Sequence, residues 1–209
     1  MGLHIDLSII DRETGNDHGA LVHAREALRL SEDLGDEMGQ ANANAELGVV
    51  FREIGEYTTA RSHLESALSQ YIRLGTGIGE GNARIALSAI FRETGDYRTA
   101  QTHLSRALDL YTKSASLLGQ ANAHLDLGTL HKLAGEFLAA RGEFVSALRL
   151  HAEIGDRSGQ ASAHTELGDL DQQIGDWAAA RRHWEDACSI YSEIGSRQLE
   201  AVQERLREA

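Results

Sequence analysis

The sequence predicts an all-α chain built as an array of helical hairpins. Three observations carry that prediction: a 40-residue period, small and apolar residues in fixed columns, and 209 residues without proline. The stretch GDYRTAQTHLSRALDLY, from Gly95, returns as GEYTTARSHLESALSQY from Gly55, GEFLAARGEFVSALRLH from Gly135 and GDWAAARRHWEDACSIY from Gly175. A weaker copy, GNDHGALVHAREALRLS, starts at Gly15. A fixed period of this length marks repeat architectures. Leu7, Leu47, Leu87, Leu127 and Leu167 form one column, followed by Gly48, Gly128 and Gly168 with Ser8 and Ser88 in the next. Ala20, Ala60, Ala100, Ala140 and Ala180 form a third, and Ala27, Ala67, Ala107, Ala147 and Ala187 a fourth. Without proline, nothing removes a backbone donor from a helix interior.

Each repeat reads as two helices. In the second copy Leu47, Val50, Phe51 and Ile54 recur at three-and-four spacing, which predicts a helix from roughly Glu37 to Ile54. Gly55 follows as its stop. A second helix is predicted from about Tyr57 to Leu74, with Ala60, Leu64, Ala67, Leu68 and Tyr71 on one face and Gly75 closing it. Ala60 and Ala67 lie two turns apart, and Gly48 lies on the partner helix, so the two backbones are expected to approach closely. One hairpin cannot bury its apolar stripe alone; stacked neighbours bury it. The repeats are expected at about 3–35, 36–75, 76–115, 116–155 and 156–195, forming a single array. The first begins abruptly near Leu3, with a short first helix and Asp11 where Phe51 and Phe91 stand. At the other end SRQLEAVQERLREA leaves the pattern, with Leu206 one place out of register and a charged outer face. A capping helix at about 196–209 has those features.

The pattern of Leu47 and Gly48, an aromatic at Phe51, then Gly55, Tyr57, Ala60, Leu64 and Ala67 resembles the tetratricopeptide repeat, or TPR, in five copies over almost the whole chain. The resemblance implies an alpha-alpha superhelix: a TPR solenoid of five helix-turn-helix repeats plus the C-terminal capping helix. Two features depart from the family pattern. The usual period is 34 residues, and the proline usual near the end of the second helix is replaced by Glu32, Ile72, Thr112, Ala152 and Ser192. Forty-residue variants occur in LGN/Pins polarity adaptors, in kinesin light chain repeats and in the C-terminal TPR regions of actinobacterial regulators such as the Streptomyces antibiotic regulatory proteins. The last repeat is most similar to the bacterial group.

Composition narrows the function classes. A formal charge of −12 opposes nucleic-acid phosphates, which are bound by clustered Lys and Arg, so no direct nucleic-acid partner is expected. No apolar run approaches the ~20 residues that cross a bilayer, and MGLHIDLSII lacks a secretion signal. A cytoplasmic protein without a membrane partner is expected. Cys188 stands where other copies have Leu28, Leu68, Leu108 and Leu148, and reads as a small buried hydrophobe or, alternatively, a reactive thiol. No Ser-His-Asp set, phosphate loop or HExxH pattern appears. No catalytic residue, cofactor or metal set is therefore predicted, and the chain is not expected to be an enzyme. His23, His63, His103 and His183 share one repeat position, with Glu143 in the fourth copy. Equivalent positions on stacked helices lie roughly 10 Å apart, too far to share a metal at ~2 Å, so the column reads as half-buried packing. His131 and Asp171 replace an aromatic on the core face, and read as a local binding feature or as a satisfied interior hydrogen bond.

By the family resemblance, the first helix of each hairpin lines a concave groove. At about 100° per residue, positions 42, 46, 49 and 53 fall within one ~60° arc roughly opposite the core stripe. Across the copies the arc opens with Asn42, Asn82 and Asn122, then Ser162. Glu46, Asp126 and Glu166 come next, with Ala86 breaking the row, and Arg52, Arg92 and Lys132 run beside it with Arg12. Asparagine is a mediocre helix former, but its amide offers donors and an acceptor to the main chain of an extended peptide. Groove asparagines have that role in LGN-like and kinesin light chain arrays. The carboxylates suit a ligand carrying Lys or Arg. The basic row either clamps acidic groups or pairs with the neighbouring glutamates, and a merely solvated helix face accounts for the same charges. The expected function is a non-catalytic protein- or peptide-binding module, the sensor or interaction region of a bacterial regulatory protein. Its partner would be a protein or peptide ligand, or another domain of the same protein. A structural scaffold or self-association unit, stacking through its end faces, is the competing expectation.

Overall fold

The computed structural model describes residues 2–208, and its helices follow the period. They are α1 (Gly2–Glu13), α2 (Asp17–Asp33), α3 (Glu37–Glu53), α4 (Tyr57–Leu74), α5 (Gly77–Glu93), α6 (Tyr97–Lys113), α7 (Leu117–Leu133), α8 (Phe137–Glu153), α9 (Arg157–Gln173), α10 (Trp177–Glu193) and α11 (Leu199–Glu208). Consecutive pairs make five hairpins, and α11 follows the fifth. All regular secondary structure among the described residues is helical. The chain divides into two compact units, Met1–Leu110 and Tyr111–Ala209, with the boundary inside α6.

Local chemistry sets the helix ends. Asp36, Ser116 and Asp156 each accept a hydrogen bond from the backbone N–H three residues on, at Gly39, Gly119 and Gly159, which satisfies a donor the helix itself leaves open. Nine glycines in the connections take φ between 65° and 86°, Gly55 and Gly75 among them. In the third repeat Ala115 occupies that place at φ 52°, a conformation that costs a residue with a Cβ roughly 1–2 kcal/mol.

In the first unit Ala60, Leu64, Leu87 and Ile90 form one buried cluster and Ala41, Ala67, Tyr71 and Ala83 another. In the second, Ala140, Phe144, Leu167 and Leu170 pack together. Trp184, Ala187, Ile190 and Tyr191 pack with Val202 of α11, and Leu199 and Leu206 close over them. Leu206, out of register in the repeat, is thus a contact of the cap.

The small columns hold side chains apart rather than only bringing backbones together. A Cβ on Gly48 would lie 2.4 Å from Leu64 Cγ, and one on Gly128 or Gly168 would lie 2.5 Å from the Phe144 or Trp184 ring. In these three hairpins the first helix gives up a side chain so that the second can insert a large one at near-crystalline packing density. A second glycine column, not singled out from the sequence, does the same between hairpins: a Cβ on Gly79, Gly119 or Gly159 would overlap Tyr71, Tyr111 or His151.

Candidate functional site

In the first unit a hollow of about 240 Å³ is lined by Ile5 of α1, by Asn42, Ala45, Glu46 and Val49 of α3, by Leu64 and Tyr71 of α4, and by Asn82, Ala83 and Ala86 of α5. It gathers three of the residues expected in a groove: Asn42, Glu46 and Asn82. The second unit has a hollow of about 230 Å³ lined by Ser162, Thr165 and Glu166 of α9, Tyr191 of α10, and Gln198, Ala201, Val202 and Arg205 on and just before α11. The two hollows use the same repeat columns, 42 with 162, 46 with 166 and 71 with 191.

Asn42, Asn82 and Asn122 are all exposed. The Tyr71 hydroxyl donates to Asn42 Oδ1 at 2.7 Å, which fixes the amide with its NH2 pointing away from the phenol. Burial pushes the Tyr71 pKa up to about 12, so the phenol keeps its proton. Ser162 and Tyr191 repeat the link at 3.2 Å. In the fourth repeat, that of Asn122, His151 replaces the tyrosine. The tyrosine partner lies 29 residues from the asparagine, on the other helix of the hairpin.

The carboxylates are engaged internally. Glu46 is only 8% exposed, and accepts from Ser8 Oγ at 3.1 Å and from Arg12 Nε at 3.3 Å. Arg12 also reaches Glu53 at 2.9 Å. Lys132 Nζ lies 2.6 Å from Glu166 Oε2, and Arg205 of α11 lies 2.9 Å from Asp169. Arg52 stands 3.5 Å from Glu53 and 3.7 Å from Glu93, and Arg92 4.0 Å from Glu93. Asp126 is half-buried; burial first, and its charge second, raise the Tyr111 pKa. Of the two roles open to the basic row, pairing with neighbouring glutamates is the one its geometry favours. Clasped carboxylates leave little to select a Lys- or Arg-bearing ligand.

The histidines pair across the two helices of a hairpin, 19 residues apart: His4 with His23, His63 with Asn44, His124 with Glu143 and His164 with His183. Comparing copies down one column missed this. The rings of His63 and His103 also stack on Phe51 and Phe91, and burial lowers the pKa values of His63, His103, His164 and His183. His131 and Asp171 do not form a pair. His131 Nδ1 lies 2.5 Å from Glu136, whereas Asp171, fully buried, takes Arg141. Burial and, second, Glu185 raise the Cys188 pKa, and the residue packs against the Trp184 cluster. That is the behaviour of a small hydrophobe. Among the described residues, no helix is long and apolar enough to cross a membrane.

Stacked hairpins with amide-edged hollows define a helical-hairpin repeat protein. Residues 39–113 and 119–193 match the tetratricopeptide repeat model, and the chain belongs to that family. A comparison with curated protein sequences found no match. Among solved structures, the chain is similar to the Rap conjugation gene regulator of the plasmid pLS20 in complex with the Phr* peptide, with TM-score 0.83 and 14% identity over 95% of this chain and 55% of that one. It is also similar to a Rap protein complexed with competence and sporulation factor, with TM-score 0.82 and 18% identity over 89% and 52%. A putative kinesin light chain from Podospora anserina with nearly identical TPR-like repeats gives TM-score 0.67 and 12% identity over 91% and 94%. The chain thus spans about half the length of either Rap structure.

Proposed function

We propose that the chain is a non-catalytic binding module that holds an extended peptide or a partner helix on the face of the first unit that carries Asn42 and Asn82, with Asn122 as the corresponding contact residue of the second unit. The observation that carries this reading is the Asn42 amide, held by Tyr71 at 2.7 Å on the rim of a hollow it shares with Asn82, with Val49, Leu64 and Ala86 supplying apolar contact. Two donors set over an apolar surface suit the carbonyls of a main chain, and a pre-oriented amide loses less freedom on binding. Two structural neighbours captured with peptide or factor ligands support the reading. Since the salt bridges occupy Glu46 and Glu166, main-chain and apolar features of the ligand would dominate over its charge.

The same reading makes the chain the sensor or interaction region of a bacterial regulatory protein of the Streptomyces type, with a ligand or another domain of the parent as its partner. Binding would then shift a pre-existing equilibrium of the output domain. Selecting peptides from a random library against the wild-type chain tests this. Asn42→Ala with Asn82→Ala should weaken the selected peptides by roughly 1 kcal/mol per lost hydrogen bond, about thirtyfold for the pair, with melting almost unchanged. Equal binding by the double variant would remove the amides from the mechanism.

A further inference from the structure

We infer that the last hairpin carries a transition-metal site, best suited to zinc, formed by His164 of α9 with His183 and Asp186 of α10. The two imidazole Nδ1 atoms lie 3.1 Å apart, and Asp186 Oδ2 lies 3.7 Å from His164 Nδ1. One donor atom from each of the three residues fits within a 4.8 Å span. Donor atoms around tetrahedral zinc, bound at ~2.0–2.1 Å, are ~3.3 Å from one another. Two of the three spacings stand close to such an edge, and the third, at most 4.8 Å, closes to it with a small rotation of the exposed Asp186 side chain. Imidazole and carboxylate together suit zinc and its borderline neighbours rather than calcium or magnesium.

A second observation points the same way. Asp171 is fully buried; one of its oxygens is held by Arg141, while the other has no hydrogen-bond partner. That oxygen lies 3.7 Å from His183 Nε2. Metal on Nδ1 puts the proton of His183 on Nε2, and closing the 3.7 Å gap to this carboxylate gives the supporting hydrogen bond usual for metal-bound histidine.

The first hairpin supplies an internal control. His4, His23, Glu26 and Asp11 occupy the corresponding repeat positions, and the imidazoles approach to 3.3 Å. There, however, Arg29 grips both oxygens of Glu26, at 2.6 and 2.9 Å, whereas Ser189 stands in the corresponding place of the last hairpin. One zinc per chain is therefore expected, not two.

Calorimetric titration of the tag-free, metal-stripped full chain with Zn²⁺ tests the assignment, with Co²⁺ absorption reporting coordination geometry. The expected result is one zinc per chain, a tetrahedral cobalt spectrum and a raised melting temperature. Asp186→Asn, an exposed change that leaves the fold intact, and His164→Gln should each lower the affinity at least about tenfold, while Glu26→Gln should leave it unchanged. No zinc bound at micromolar concentration, or binding unmoved by Asp186→Asn, would overturn the assignment.

Discussion

Trp184→Ala is expected to destabilise the protein by about 3–5 kcal/mol, the largest loss from any single truncation in the second unit. Trp184 is fully buried and lies against Gly168, where a Cβ would sit 2.5 Å from its ring. It anchors the cluster that also holds Val202, Leu199 and Leu206 of α11. Its Nε1–H donates to Asp169 at 3.0 Å, but Asp169 keeps Arg205 as a partner, so the cost is chiefly the cavity. Because each repeat is stabilised through its neighbours, α9–α11 should melt ahead of the remainder in a denaturant titration followed by circular dichroism and hydrogen exchange. Trp184→Leu combined with Gly168→Ser reproduces the residues at Leu104 and Ser88, and should recover at least half the loss.

Arg141→Ala should cost about 3 kcal/mol, because it strips the charged partner from a buried carboxylate. Asp171 has no exposed surface, and its other near neighbour, His183, stands 3.7 Å away. Asp171→Phe, by contrast, restores the aromatic of Phe51 and Phe91, with Arg141 placed as Arg61 is over Phe91 at 5.1 Å. It should be neutral or stabilising within about 1 kcal/mol, since an apolar group of suitable volume commonly replaces a buried ion pair without loss. Chemical denaturation of both variants checks the contrast. Equal destabilisation by the two would mean that the carboxylate itself, rather than the filled volume, holds this position.

The fold was legible because its determinants are local and periodic. The helix predicted to end near Ile54 ends at Glu53, and the one predicted over Tyr57 to Leu74 has those bounds. Gly55 and Gly75 adopt the positive φ expected of helix stops. The site was only partly legible, for a physical reason. A helical wheel considers one helix, whereas Glu46 is buried by Ser8 and Arg12 on another. Likewise the asparagine column was visible, but the Tyr71 hydroxyl that sets the amide is not, because that link crosses the hairpin. Column reasoning compared the histidines only along the stack and overlooked their partners 19 residues away. Nothing in the unbroken period marks the boundary between units within α6.

The pre-oriented Asn42 amide is most directly tested by NMR of the side-chain N–H groups of Asn42 and its neighbour Asn82 during titration with a selected peptide, in the wild type and in Tyr71→Phe. Both resonances should shift on binding, and loss of the phenol that orients Asn42 should weaken the peptide while leaving the helices intact. Shifts gathered instead around exposed residues of α8 such as Leu138 and Val145, with the two amides unmoved, would contradict the account.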